Sequence, residues 1–189
     1  MEHLETQIQH VILETDRLRF ATWKTDDWRE FKKLATDPLV VRYLGTGDPW
    51  PDERVKEFVN RQCENWEKSG ICLWKLLPKD SDTLIGICGL QHLAGGLEVE
   101  IGWWLAPACW GEGLASEAAR QALAYGFEVN RLDRIVAIAQ AVNLDSLRVM
   151  DKIGMRFERE AMHKGVRVLL YTITRDAYNS QQGNSADRA

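Results

Sequence analysis

Residues 103–117 read WWLAPACWGEGLASE, and the change of character inside this stretch decides the fold. Its first residues close LEVEIGWWL (residues 97–105), enriched in strand formers and predicted to be a strand. Its last residues open a segment at 113–128 in which Ala115, Ala118, Ala119, Ala122 and Leu123 recur at helical spacing, a small-residue face able to lie close on a sheet. Between the two, Trp110-Gly111-Glu112-Gly113 occupies a strand-to-helix junction. Unpaired N–H groups and the helix dipole make such a junction an anion site, and glycines let a pyrophosphate approach the backbone. On its own a GxG at a junction is more often an ordinary tight turn, so the surrounding chain has to decide.

Upstream, ICLWKLL (residues 71–77) and TLIGICGLQHL (83–93), with turns at KDSD and AGG, form an antiparallel meander together with residues 97–105. Before the meander, LRFATW (18–23) reads as a strand. Thr25 then caps a helix through DDWREFKKLAT, with Trp28, Phe31 and Leu34 at helical spacing and a stop at Asp37-Pro38. A second helix begins at Pro51, runs through Val55, Phe58, Val59 and Trp66, and stops at Ser69-Gly70. Downstream come a buried strand RIVAIAQA (134–141), a short helix NLDSLRVMDKI (143–153) with Gly154 as its left-handed cap, and a hairpin of MRFEREAM and VRVLLYTIT around residues 163–165. The order β-α-α-β-β-β-α-β-α-β-β predicts a mixed α/β fold of the α+β type, one domain with a central, mostly antiparallel sheet flanked by helices. The domain is expected at 13–178, and the polar stretches 1–12 and 179–189 are expected to be loose termini.

Composition narrows the partners. The 24 basic and 28 acidic residues give a net charge of −4, which provides no electrostatic footprint for nucleic acid or an anionic membrane. No apolar run approaches the roughly 20 residues that span a bilayer, and MEHLETQIQH lacks the basic-then-apolar order of a signal peptide, so a cytoplasmic protein is expected. Cys63, Cys72, Cys88 and Cys109 show no CxxC spacing and are expected to be thiols, with no metal site.

Chain order and motifs together resemble the GNAT N-acetyltransferase superfamily, whose acetyl-CoA loop follows Q/R-x-x-G-x-G/A. Here the loop reads Ala108-Cys109-Trp110-Gly111-Glu112-Gly113, with Ala108 in place of the Gln or Arg. The finer resemblance is to the RimJ/RimL-like branch, the ribosomal-protein N-terminal acetyltransferase type, in which E-I-G-W/Y-x-L precedes P-x-x-W-G-x-G-x-A-x-E-A. This chain has Glu100-Ile101-Gly102-Trp103-Trp104-Leu105, then Pro107, Trp110, Gly111, Gly113, Ala115, Glu117 and Ala118. The branch's second signature, N-x-x-S-x-x-x-x-x-K-x-G-F, is similar to Asn143, Ser146, Lys152 and Gly154, with Met155 for Phe and one residue fewer before Lys152. The resemblance implies an acetyl-CoA-dependent, metal-free N-acetyltransferase, monomer or homodimer, in which a primary amine attacks directly in a ternary complex. A protein or peptide α-amine is the first expectation. A small amine (amino acid, polyamine or antibiotic) and a non-enzymatic acyl-CoA-binding module are the alternatives.

Strand alternation puts Glu98 and Glu100 on one face of the third meander strand and Val99, Ile101 and Trp103 on the other, apolar one. That pattern by itself fits a solvated acidic face or a structural ion pair. The resemblance selects Glu100 as general base, directly or through a water, with Trp103 and Trp104 raising its proton affinity. It further implies that the backbone of Trp104, Leu105 and Ala106 pairs with the pantetheine arm and that Gly111, Glu112, Gly113, Leu114, Ala115 and Ser116 receive the pyrophosphate. Asn143 has two compatible readings, an N-cap for its helix and a side-chain contact to the pantetheine amides. Ser146 is the implied proton donor to the leaving thiolate, because Met150 stands where many such enzymes place a tyrosine. Glu117 is expected to steady the helix N-terminus, and Cys109 has no readable partners for nucleophilic catalysis. His92 and His163 fall near the expected acceptor groove. Acceptor choice is expected from the first two helices, their linker LGTGDPWP (44–51) and the last hairpin.

Overall fold

The computed structural model describes residues 10–93 and 96–186. One sheet of eight strands runs in the order β1-β2-β3-β4-β5-β6-β8-β7. Strands β1 (Val11–Glu14), β2 (Leu18–Ala21), β3 (Leu73–Pro78), β4 (Gly86–His92) and β5 (Val99–Leu105) pair antiparallel in succession. β6 (Arg134–Ala139) lies parallel to β5, and β8 (Val166–Thr174) pairs antiparallel with both β6 and the edge strand β7 (Arg156–His163). The helices are α1 (Trp28–Ala35), α2 (Pro38–Val41), α3 (Asp52–Ser69), α4 (Leu114–Ala124), α5 (Leu144–Lys152) and α6 (Arg175–Ala186). This is the mixed, mostly antiparallel single-domain architecture that the element order predicts.

Both ends of the domain reach further than composition suggested. Val11 and Ile12, expected to be loose, belong to β1, with Val11 opposite Ala21 of β2. Residues 179–186, also expected to be loose, continue α6. The first turn of α6 is anchored by Tyr178, which stacks on Phe127 at 4.9 Å and donates its hydroxyl to Glu128 at 2.8 Å. Residues 1–9 and 187–189, and Ala94 and Gly95 of the expected AGG turn, lie outside the described residues. Asp37-Pro38 ends α1 as expected but also starts α2, since the Asp37 side chain accepts from the Leu39 N–H at 2.9 Å.

The meander is apolar on both faces, where alternation along β5 suggested one. α4 covers Val99, Ile101 and Leu105 together with Phe20, Trp74 and Leu90, and its Ala118, Ala119 and Ala122 keep the helix close. On the opposite face α1 and α3 bring Phe31, Val55, Phe58 and Val59 onto Leu73, Ile87 and Trp104. Phe31 stacks on Phe58 at 4.7 Å, and Trp50 meets Trp104 edge-on at 5.0 Å. Glu98 and Glu100 occupy the end of this second face, so the charged pair masks an apolar surface supplied by neighbouring strands.

β5 and β6 pair at a single position, Glu100 opposite Val136. Beyond it both strands continue without pairing, and a cleft opens between them.

Candidate active site

Peptide parity along β5 follows from two hydrogen bonds of its ladder with β4, Leu93 N–H to Glu98 O and Ala106 N–H to Ile85 O, both 2.8 Å. Even-numbered residues therefore turn their peptide groups to β4, and those of Trp103 and Leu105 face the gap. The gap widens into a cleft of about 1150 Å³, walled by residues 102–105 on one side and 138–140 on the other. Across its end, the Gln140 amide donates to the Tyr43 carbonyl at 3.1 Å and the Arg42 guanidinium lies 5.5 Å from the centre of the Trp110 ring. The segment after α2 thus touches both walls.

The junction after β5 turns on two glycines. Gly113 is the N-cap of α4 with φ +79°, and Gly111 has φ +80°. Both are left-handed conformations that disfavour any Cβ. No atom lies within 4 Å of where a Gly111 Cβ would stand, so the loop presents bare backbone. Its support comes from behind. Arg17 donates through Nη1 to the Glu112 carbonyl at 3.0 Å and through Nε to the Glu117 carboxylate at 2.7 Å, which also accepts from the Thr15 hydroxyl at 2.6 Å. Burial pushes the Glu117 carboxyl up, but the hydrogen bonds from Thr15 and Arg17 and the Arg17 charge outweigh it and hold the group below the usual carboxylate range. Glu117 therefore ties the loop and α4 to the β1–β2 turn.

Glu100 sits at the point where the strands part. It is 9% exposed and accepts from the Gln91 amide at 3.0 Å. Burial pushes its carboxyl up to about 7, against the opposing pull of the Gln91 hydrogen bond and the Lys164 charge. Trp104 shares its face of the sheet, while Trp103 lies on the opposite face against the α4 core, so of the two tryptophans expected beside Glu100 only Trp104 shares its side. Across the cleft, Asn143 caps α5 by accepting from the Ser146 N–H at 3.3 Å. The Ser146 hydroxyl has no hydrogen-bond partner among the described residues and lines the cleft.

Of the residues singled out from sequence, Glu100, Trp104, Leu105, Gly111, Gly113, Leu114, Ala115, Ser116, Asn143 and Ser146 line this one cleft; Ala106 and Glu112 do not. Two of the backbone groups expected to receive pantetheine are already paired. The Leu105 carbonyl accepts from the Trp110 indole at 2.8 Å, and the Ala106 N–H is committed to Ile85. The peptide of Trp103 and the Leu105 N–H also face the gap, beyond the one position where β5 and β6 pair. His163 lines the cleft, its imidazole pKa lowered by burial and by Lys164, whereas His92 lies outside the lining. Among the described residues no group of three or more His, Cys, Asp or Glu is placed to hold a metal ion, and no helix is long and apolar enough to cross a membrane.

A family model for the acetyltransferase (GNAT) domain matches residues 17–156. The chain belongs to this family. It is 38% identical over 145 residues to the uncharacterized N-acetyltransferase YnaD of Bacillus subtilis, covering 76% of this chain and 82% of that protein. A GNAT-family acetyltransferase from Bacillus anthracis superposes with a TM-score of 0.73 at 29% identity, over 87% of this chain and 98% of that one. RimL, a ribosomal L7/L12 α-N-protein acetyltransferase solved with coenzyme A, superposes with a TM-score of 0.75 over 89% of this chain and 99% of its own. At 14% identity it shares the fold alone. The protein is thus a GNAT acyltransferase that uses acetyl-CoA to acetylate an amine.

The cleft also contains residues that the sequence did not single out. Gln91 is one, visible only once β4 and β5 are set in register. Arg54 and Arg61 on α3 are others, and both line the cleft. The spacing of Arg54, Phe58 and Arg61 puts them on one helical face, a signal that was present but reads as an ordinary solvated stripe.

Proposed function

We propose that the enzyme acetylates the α-amine of a protein or peptide by direct attack on acetyl-CoA in a ternary complex. The observation that carries the chemistry is Glu100, a buried carboxyl that holds its proton to about 7 at the mouth of the strand gap. An amine attacks a thioester only when neutral, so a base near neutrality at that point can take the ammonium proton, directly or through a water. The Trp103 peptide and the Leu105 N–H lie along the gap as an open strand edge, suited to a peptide-like pantetheine arm. Gly111, Gly113 and the first N–H groups of α4 suit a pyrophosphate. Ser146 lies on the other wall with an unpaired hydroxyl, in reach of the role of proton donor to the departing thiolate. The motif resemblance to the RimJ/RimL-like branch supports the α-amine as acceptor.

The test is release of CoA thiol from acetyl-CoA, screened against peptides with free N-termini and against small amines, with Glu100→Gln and Ser146→Ala beside the wild type. Turnover on peptides, reduced at least about 100-fold by Glu100→Gln, is the expected result. Turnover on small amines alone would refute the α-amine reading. Tight acetyl-CoA binding with no turnover on any amine would point to a binding module.

A further inference from the structure

On a chain of net charge −4, the acceptor side of the cleft is basic. Arg54 and Arg61 line it from α3, on either side of Phe58, and Lys164 lines it from the tip of the β7–β8 hairpin. The Arg54 guanidinium lies 4.0 Å from the centre of the Trp50 ring and that of Arg61 5.6 Å from Phe58, so aromatic faces hold both side chains against the cleft wall. None of these three cations has an ion-pair partner among the described residues. Elsewhere Arg19 pairs with Asp82, Lys32 with Asp52, and Arg134 with Glu98 and Glu158, while Lys33, Lys56, Arg131 and Arg156 likewise form no ion pair among the described residues. The acidic lining residues are Glu57, Glu100 and Asp145, of which Asp145 is paired with Arg148.

That balance discriminates among amines. A polycation such as a polyamine or an aminoglycoside would bring further positive groups against Arg54, Arg61 and Lys164, with Glu57 as the carboxylate left to receive them. An acceptor with its own negative charge finds three unpaired cations. Arg61 follows Arg54 by seven positions along the helix, about 10 Å along the axis, the span of about three residues of extended peptide.

We propose that the acceptor is a peptide whose α-amine is followed, within its first few residues, by carboxylates that Arg54 and Arg61 hold while the amine reaches Glu100. The proposal rests on the α-amine reading above. Its test compares free-amine peptides identical except at the second to fourth residues, which are aspartate, asparagine or arginine, with glutamate and spermidine as small amines. The wild type and the double variant Arg54→Gln/Arg61→Gln are assayed side by side. The expected order in kcat/KM is aspartate above asparagine above arginine, with about tenfold between the extremes, carried mainly by KM and shrinking as salt is added. In the double variant the aspartate peptide slows while the arginine peptide does not, an asymmetry that a general loss of folding would not produce. Equal or reversed rates, or an unchanged spread in the variant, overturn the charge preference and leave the α-amine reading standing. No turnover on any peptide overturns both, and spermidine outrunning glutamate in that case refutes the anionic acceptor outright.

Discussion

At Glu100, stability and activity pull in opposite directions. The unfolded chain ionises this carboxyl in the ordinary range, whereas the folded chain keeps the proton to about 7. Between those values the unfolded state binds fewer protons, so the group favours folding at low pH and its contribution falls as pH rises through about 7. Fully ionised, the buried carboxylate costs roughly 3 kcal/mol. Glu100→Gln should therefore be more stable than wild type at pH 8 and nearly equal at pH 4, measured by urea unfolding at both. In kcat/KM the wild type should show a rising limb near pH 7 that the variant lacks, while the limb of the acceptor amine, near pH 8 for an α-amine, persists in any residual activity. The sequence pointed to this residue through its motif but hid its burial. Its alternation partner Glu98 is half-buried and paired with Arg134, and the helices that cover Glu100's face come from elsewhere in the chain.

At the scale of elements, the strand-loop-helix unit was the most legible part of the chain, because each step is local. A run of strand formers, a GxG and a small-residue helical face are all visible without tertiary contacts. What remained hidden was the indole of Trp110 folding back onto Leu105, and Arg17 reaching the loop from the β1–β2 turn, since both depend on where the turns carry distant atoms. Helix α6 was missed for a similar reason: its polar composition says little, and Tyr178 fixes its start through packing on Phe127. Gly113→Ala tests the loop. The nearest atom to its new Cβ would be Arg17 Nη2 at 3.9 Å, so there is room, and the penalty is the left-handed backbone, about 1–2 kcal/mol. A modest fall in melting temperature and a several-fold rise in KM for acetyl-CoA, with little change for the acceptor, are expected in steady-state assays. An unchanged KM for acetyl-CoA would remove this loop from the phosphate site.

For the molecule as a whole, one buried ion pair joins the sheet to the helical layer of α1 and α3. Lys75, in the middle of ICLWKLL, is 1% exposed and lies 2.6 Å from Asp27 at the start of α1. Removing only the acid strands a buried cation. Asp27→Ala should therefore cost about 3 kcal/mol in denaturant unfolding, and adding Lys75→Met to it should recover most of that loss. The single rung between β5 and β6 has a wider mechanical consequence. It divides the sheet into a plate of five strands and a plate of three, welded at one spot. A molecule lodged in the gap acts as a strut between the plates, so binding the donor should stiffen protein far from any atom it touches. Amide exchange slowed across β6 and β8 on adding acetyl-CoA, and not only at the loop, would register that bracing.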